Sequence, residues 1–419
     1  MPLSQLRKSG ALQLLQGGEA LFPALIKAFD GATRWIQLET YIFDFHGTGA
    51  QVADALVRAA ARGVTVQVLV DGIGTAALPA EWQEKFAAAG VQWFMYSPLG
   101  VGWLGRRGLG LLVPNRWRRL HRKLCVVDQA LVFCGGINVL DDFYDPNHGE
   151  LPAARFDFSV AVSGPLALEA ADAMALLWWR VQAGYSARQR HLSVAWEKFK
   201  AAGYGGRTTT RQLAAPPADP ARNQAGKPGA KAALILRDNL RNRSSIERAY
   251  RRAIGKARQE IIIANAYFLP GGKLRHALIR AAQRGVRVTL LLQGRYEYFM
   301  QYHAARPVYG ALLAAGVEIH EYAASFLHAK VAVVDGHWAT VGSSNLDPLS
   351  LLLAREANVV VEDRAFAEEL GRRLHEAMAH HGRRIDPAAY NRRPLLQRFK
   401  GWMAYAVMRL ALLVTGQRY

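Results

Sequence analysis

Apolar positions along this chain follow two spacings that take turns, one helical and one extended. Phe22, Leu25, Ile26 and Phe29 recur at three- and four-residue steps and predict a helix over 22–29. An apolar run then predicts a strand over 35–43, followed by a helix over 51–61 and a strand over 64–70. The same series returns later as a helix over 246–256, a strand over 260–266, a helix over 274–283 and a strand over 286–292. Ala60-Ala61-Arg62-Gly63-Val64 and Ala282-Gln283-Arg284-Gly285-Val286 are near copies, with glycine where each helix hands over to its strand. Alternating helices and apolar strands predict an α/β sandwich, and the repetition predicts two of them.

Residues 201–230 break the alternation. They hold Gly203, Gly205, Gly206, Pro216, Pro217, Pro220 and Pro228 and few apolar side chains, a composition that cannot build a core. The chain therefore divides into a first lobe over 1–200, a linker over 201–231, a second lobe over 232–390 and a basic, apolar tail over 391–419. No run of 18 apolar residues predicts a membrane-spanning helix, and residues 1–20 lack the apolar centre of a secretory signal. Two cysteines, Cys125 and Cys134, are too few for a disulfide scaffold. They flank a predicted hairpin turn and are expected as buried thiols in a reducing compartment.

Charge narrows the partners. Lys and Arg number 53 against 33 Asp and Glu, a net +20 with a pI near 10.2. Such an excess calls for an anionic partner, nucleic acid or an acidic lipid surface. Over 99–120, Trp103, Leu104, Leu109, Leu111, Leu112 and Trp117 alternate with Arg106, Arg107, Arg116, Arg118 and Arg119. Over 399–414, Trp402, Tyr405, Leu410 and Leu412 surround Lys400 and Arg409. Apolar groups edged by arginine suit a membrane interface, and the tail is expected as a helix lying on it.

One chemical pattern occurs twice in register. His121-Arg122-Lys123 is followed by Asp128 and then Gly135-Gly136-Ile137-Asn138. His328-Ala329-Lys330 is followed by Asp335 and then Gly342-Ser343-Ser344-Asn345. Each copy opens an apolar strand, 123–127 or 330–334, on which residues two apart share a face. His121 and Lys123 thus project together, as do His328 and Lys330. Asp128 and Asp335 complete the catalytic set of each copy, but they fall on the other parity at the strand end and are expected to brace a turn more than to touch substrate. Two imidazoles, two ammonium groups and the amides of Asn138 and Asn345 suit a phosphodiester. One neutral imidazole attacks phosphorus and the other, protonated, serves the leaving alkoxide. The lysines and amides then neutralise the non-bridging oxygens, where losing one donor typically costs roughly 2.7–4 kcal/mol of barrier. This chemistry needs no metal and no cofactor.

The duplicated motifs resemble the phospholipase D superfamily, and within it the shorter bacterial cardiolipin synthases that lack an N-terminal membrane hairpin. Glu39-Thr40-Tyr41-Ile42-Phe43, Ile263-Ala264-Asn265-Ala266-Tyr267-Phe268 and the stretch from Ala339 to Pro348 extend the likeness over about 12–363. The resemblance implies two similar phospholipase D-like α/β sandwich lobes related by a pseudo-two-fold axis, with the active site at their interface. It implies His121 as nucleophile, His328 as general acid, and a carboxylate behind each histidine, for which Asp157 and Glu356 occupy the matching positions. The Asp/Glu mismatch implies that the two histidines are tuned differently. Ser343 joins Asn138 and Asn345 as a substrate-binding candidate, and Glu39 and Tyr41, at a strand end, are candidates for holding an acceptor hydroxyl.

The activity expected is transfer of a phosphatidyl group from phosphatidylglycerol to phosphatidylglycerol or phosphatidylethanolamine, on the cytoplasmic face of the bacterial inner membrane. Hydrolysis of the same intermediate is one alternative, and cleavage of nucleic-acid phosphodiesters is another. The apolar stretches beside the first motif argue against a nucleic-acid partner. A silent membrane scaffold is a third, opposed by two complete motifs.

Overall fold

The computed structural model describes residues 6–96, 119–146, 148–188, 230–238, 242–295, 299–347 and 354–394, and 399–407 apart from 402 and 405. The linker and most of the basic loop over 99–120 lie outside the described residues.

The expected alternation is present. In the first lobe it runs Gly17–Asp30 (helix), Trp35–Thr40 (strand), Thr48–Ala61 (helix), Thr65–Asp71 (strand). In the second it runs Ser245–Lys256, Glu260–Asn265, Gly272–Gln283, Arg287–Gln293. Gly63 and Gly285 take φ of 90° and 87°, the left-handed step that lets each helix turn directly into its strand.

The first lobe is a seven-stranded sheet. Its order is Leu12–Gln16, Phe158–Ser163, Leu131–Gly135, Lys123–Val127, Trp35–Thr40, Thr65–Asp71, Gln92–Tyr96. The second lobe repeats that order from Lys231–Arg237 through Ala354–Glu362, Trp338–Gly342, Lys330–Val334, Glu260–Asn265 and Arg287–Gln293 to Glu318–Tyr322. Each sheet carries its motif strand next to the first parallel pair, so the two copies occupy equivalent places.

The lobes are not separate beads on the chain. Arg7–Lys8, from the first lobe, pairs with Lys231 and Ala232 at the edge of the second sheet. Arg119–Leu120, just before the first motif, pairs in parallel with Ala354 and Arg355. In the mirror contact Phe156 bridges Leu327, just before the second motif. Helices cover the outer face of each sheet, with separate apolar cores beneath them. The inner faces share one core. Val126, Val132, Val160 and Val162 meet Val331, Val341, Val359 and Val361, flanked by the helices Pro165–Arg188 and Arg364–His381. Burying each such valine contributes roughly 1.5–3 kcal/mol, so the inner faces bind the lobes firmly.

Cys125 and Cys134 are buried free thiols. They sit on neighbouring strands but one register step apart: Cys125 faces Phe133, and Cys134 faces Leu124. Their side chains enter different cores, Cys125 the outer and Cys134 the inner. Among the described residues no helix is long and apolar enough to cross a membrane. In the tail, 399–407 is helical where described; Ala404 packs into the second lobe, while Phe399, Met403 and Val407 stand exposed one turn apart.

Candidate active site

The two motif strands end at the lobe interface, and the entry to each is fixed by the same devices. The His121 backbone N–H donates to the Arg355 carbonyl, and the His328 N–H to the Phe156 carbonyl, both at 3.0 Å. One residue earlier, Leu120 N–H donates to the buried Asp71 carboxylate at 2.8 Å, and Leu327 N–H to Gln293 Oε1 at 3.2 Å. Asp71 and Gln293 end equivalent strands, so each lobe pins its histidine from two strands along.

The carboxylates are crossed between lobes. His121 donates from Nδ1 to Glu356 of the second lobe at 3.1 Å. His328 donates from Nδ1 to Asp157 of the first at 2.6 Å. Committing Nδ1 to a carboxylate fixes the tautomer and leaves Nε2 of each ring for chemistry. The imidazoles retain 16% and 20% side-chain exposure, the opening a phosphate needs. Lys123 Nζ donates to the His121 carbonyl at 2.9 Å, and Lys330 Nζ repeats that bond to the His328 carbonyl. Lys330 also lies 3.9 Å from Asp157.

Burial and the paired ammonium groups set the protonation. Burial pushes Lys123 down to about 7, with Lys330 adding to the effect and Glu356 opposing it. Burial lowers His121 below its ordinary value, partly offset by Glu356. His328 is held well below, by burial and then by Lys330 and Lys123. Asp157, losing water, rises to about 6.

The copies also differ in the residues behind each ring. Near His121, Arg122 pairs with Glu39 at 2.8 Å, and Arg355 donates from Nε to the Tyr96 hydroxyl at 3.3 Å. At the equivalent places near His328 stand Ala329 and Ala264, and Phe156 stacked on Tyr322. Both rings face Lys123 and Lys330, and the copies differ in the layer behind them: an ion pair and a hydrogen-bonded Arg355 in one, methyls and rings in the other.

Several sequence-predicted residues fall elsewhere than the pocket. Asp128 accepts from the backbone N–H groups of Thr33, Arg34 and Trp35, and Asp335 from those of Arg258, Gln259 and Glu260. Both take left-handed φ, 49° and 50°. Asp128 lies five residue steps along the strand from Lys123, roughly 16 Å, so it braces the turn. Glu39 is fully buried with its carboxylate on Arg122, because its parity points it into the lobe interface; this is not a place from which to hold an acceptor. Ser343 is also fully buried and donates to Glu356, so it orients that carboxylate instead of lining the pocket. Gly136, its counterpart, has no room for a side chain because the Asp157 carboxyl fills the space.

Tyr41 does reach the site: its ring lies 5.0 Å from His121, with Lys123 Nζ 5.4 Å from its centroid. Asn138 accepts from Ile42 N–H at 3.1 Å, and Asn345 is buried beside the second copy. Sequence reasoning missed Asp71, Gln293, Arg122 and Arg355. Asp71 and Gln293 were findable as polar residues closing equivalent apolar strands of the repeat. The pairing of Arg122 with Glu39 left no signal in spacing. Among the described residues no cluster of His, Cys, Asp and Glu could hold a metal ion.

Duplicated lobes with crossed histidine–carboxylate pairs define a two-copy phosphodiester site of the phospholipase D kind. Residues 25–148 and 250–378 match the family described as "Cardiolipin synthase, PLD-like domain". The chain belongs to that cardiolipin synthase family. Cardiolipin synthase B of Escherichia coli strain K12 is 36% identical over 408 residues, covering 96% of this chain and 89% of that protein. Cardiolipin synthase A of Escherichia coli O1:K1 is 28% identical over 399 residues, covering 93% and 74%. A phosphatidylserine synthase of Haemophilus influenzae Rd KW20 shares the fold, with a TM-score of 0.67 at 12% identity, over 98% of this chain and 97% of its own.

Proposed function

We propose that this phosphatidyltransferase makes cardiolipin from phosphatidylglycerol through a covalent phosphatidyl-histidine. The crossed pairs His121–Glu356 and His328–Asp157 carry this reading. His121 Nε2 attacks phosphorus, the P–O bond to the departing glycerol breaks, and His328 gives that oxygen its proton. A headgroup hydroxyl of a second phospholipid then attacks, the P–N bond breaks, and His328 takes the hydroxyl proton. Lys123 and Lys330, with Asn138 and Asn345, face the non-bridging oxygens. Tyr41 borders the leaving or entering headgroup. A second order of roles is favoured by the deeper depression of His328, since the less basic ring is the more fully neutral one and better placed to attack.

Transfer outruns hydrolysis when the acceptor is held and water is kept out. The net charge of +20 and the exposed stripe Phe399, Met403, Val407 support peripheral binding to an anionic membrane, and we assign it to the cytoplasmic face. The test is product analysis with vesicles of phosphatidylglycerol, alone and with phosphatidylethanolamine, beside a plasmid control. Cardiolipin with free glycerol, undiminished by EDTA, is expected. Phosphatidic acid as sole product would make the protein a hydrolase, and nicked plasmid with inert lipid a nuclease. Acid-quenched adducts from labelled lipid, mapped to His121 or His328, decide the order.

A further inference from the structure

The two copies differ in length at one place beside the site. Eighteen residues separate Asn138 from Asp157, whereas ten separate Asn345 from Glu356, so the first copy is eight residues longer. The longer excursion folds as a short hairpin, with Tyr144–Asp145 paired to Gly149–Glu150. It is tied down along its length. Phe143 N–H donates to Asp141 Oδ1 at 2.8 Å, and Leu151 N–H to the Phe143 carbonyl at 2.7 Å. Arg155 clamps its base through the Asp141 carbonyl, the Tyr144 carbonyl and the Asp145 carboxylate.

The hairpin is also fixed to the opposite lobe. The His148 ring packs edge-on against Phe326 at 5.1 Å, and Ser325 Oγ donates to the Ala153 carbonyl at 2.6 Å. Phe326 lies two residues before His328, so the hairpin stands at the mouth of the pocket. Its base, where the first strand begins, presents Phe143, 58% exposed, and Tyr144, 45% exposed. On the other side of the motif strand in the sheet order, just past Thr65–Asp71, Ile73 is 47% exposed, and its neighbour Gly74 lies against Tyr41, which borders His121.

We infer that the hairpin bearing Phe143 and Tyr144, with Ile73 opposite, is an interfacial rim that seats the mouth of the site on a lipid surface. Phenylalanine enters the acyl boundary and tyrosine keeps its hydroxyl among headgroups, while the chain's net charge of +20 draws the molecule as a whole to an anionic leaflet against the local charge of Asp141, Asp142, Asp145 and Glu150. The rim delivers the pocket to substrate phosphates lying in the membrane plane. The inference rests on the reading that the substrate is a membrane phospholipid.

The test uses the full chain with Phe143→Ser and Tyr144→Ser combined, both exposed and remote from either core. Binding is read by co-sedimentation with phosphatidylglycerol vesicles, and turnover on those vesicles and on monomeric dihexanoyl-phosphatidylglycerol. The lipid concentration for half-binding should rise about tenfold, with vesicle turnover falling alongside and monomer turnover unchanged. Unchanged vesicle binding would overturn the inference, as would an equal loss on monomers, which would make the hairpin part of the substrate cleft. In Phe143→Trp, vesicles should shift the emission to the blue; an unshifted spectrum would also overturn it. If the unaltered protein makes no cardiolipin from either substrate yet its vesicle binding depends on the hairpin, the rim stands and the transferase reading falls.

Discussion

At the residue scale the two histidines differ less in identity than in what surrounds them. Glu356 stabilises the positive form of His121 across the lobe interface, with Ser343 holding the carboxylate in place. Glu356→Gln keeps an oxygen for Nδ1 and removes the charge, so kcat should fall about 100-fold or more while the melting temperature barely moves. A kcat within a factor of a few of the parent would show that the pair only positions the ring. Lys123 supplies a pH test. With its ammonium pushed down to about 7 by burial, it carries charge below that value in the free protein and loses it above. Log kcat/KM should therefore steepen its fall above pH 7, beyond the slope set by loss of the protonated imidazole. Lys123→Arg stays charged and should lack the extra steepening; identical profiles would take Lys123 out of the phosphate cradle.

Elements place those residues, and their turns are where place is decided. Asp128 and Asp335 each tie three backbone N–H groups, so Asp128→Ala should cost about 1–3 kcal/mol, part of it from alanine in left-handed φ. Asp128→Asn should cost less, and turnover per folded molecule should be unchanged in both; a fall in kcat without a fall in stability would return Asp128 to the chemistry. The hydrogen bonds also lower both carboxyls, so their contribution is present above about pH 4 and drains away on further acidification. Gly136→Ala should push Asp157 off His328 and cut kcat as Asp157→Asn does, whereas Ser343→Gly should act through Glu356 and more mildly. Much of this was legible beforehand. Strand parity separated His and Lys from Asp in each motif, and the Gly63 and Gly285 junctions marked the repeat. Parity could not say that Glu39 would meet Arg122, because that contact joins two strands whose register the sequence leaves open. Nor could it show that Asp157 serves the other lobe's histidine. Strands of two residues such as Arg119–Leu120 carry no period, and their partners lie more than 200 positions away.

Taken whole, the molecule is two half-sites that each lack a carboxylate. The first lobe holds His121 without Glu356, and the second holds His328 without Asp157. The inner face of each sheet is largely apolar and is buried by the other sheet together with the helices Pro165–Arg188 and Arg364–His381. Strands cross as well: Arg7–Lys8 completes the second sheet's edge, and Arg119–Leu120 docks on Ala354 and Arg355. Physical pairing of the lobes should therefore matter more than covalent continuity through the proline- and glycine-rich linker. Fragments 1–200 and 231–419, produced separately, should be poorly soluble and inactive, because each would expose its half of the shared core. Produced together they should associate and recover phosphatidyl transfer, and the histidine-to-alanine variant of either fragment should silence the complex. Substantial turnover by one fragment alone would mean that a single lobe, or a dimer of it, assembles a working pair. Such a result would overturn the crossed arrangement as the basis of catalysis, and it would be read directly from cardiolipin formed per mole of fragment.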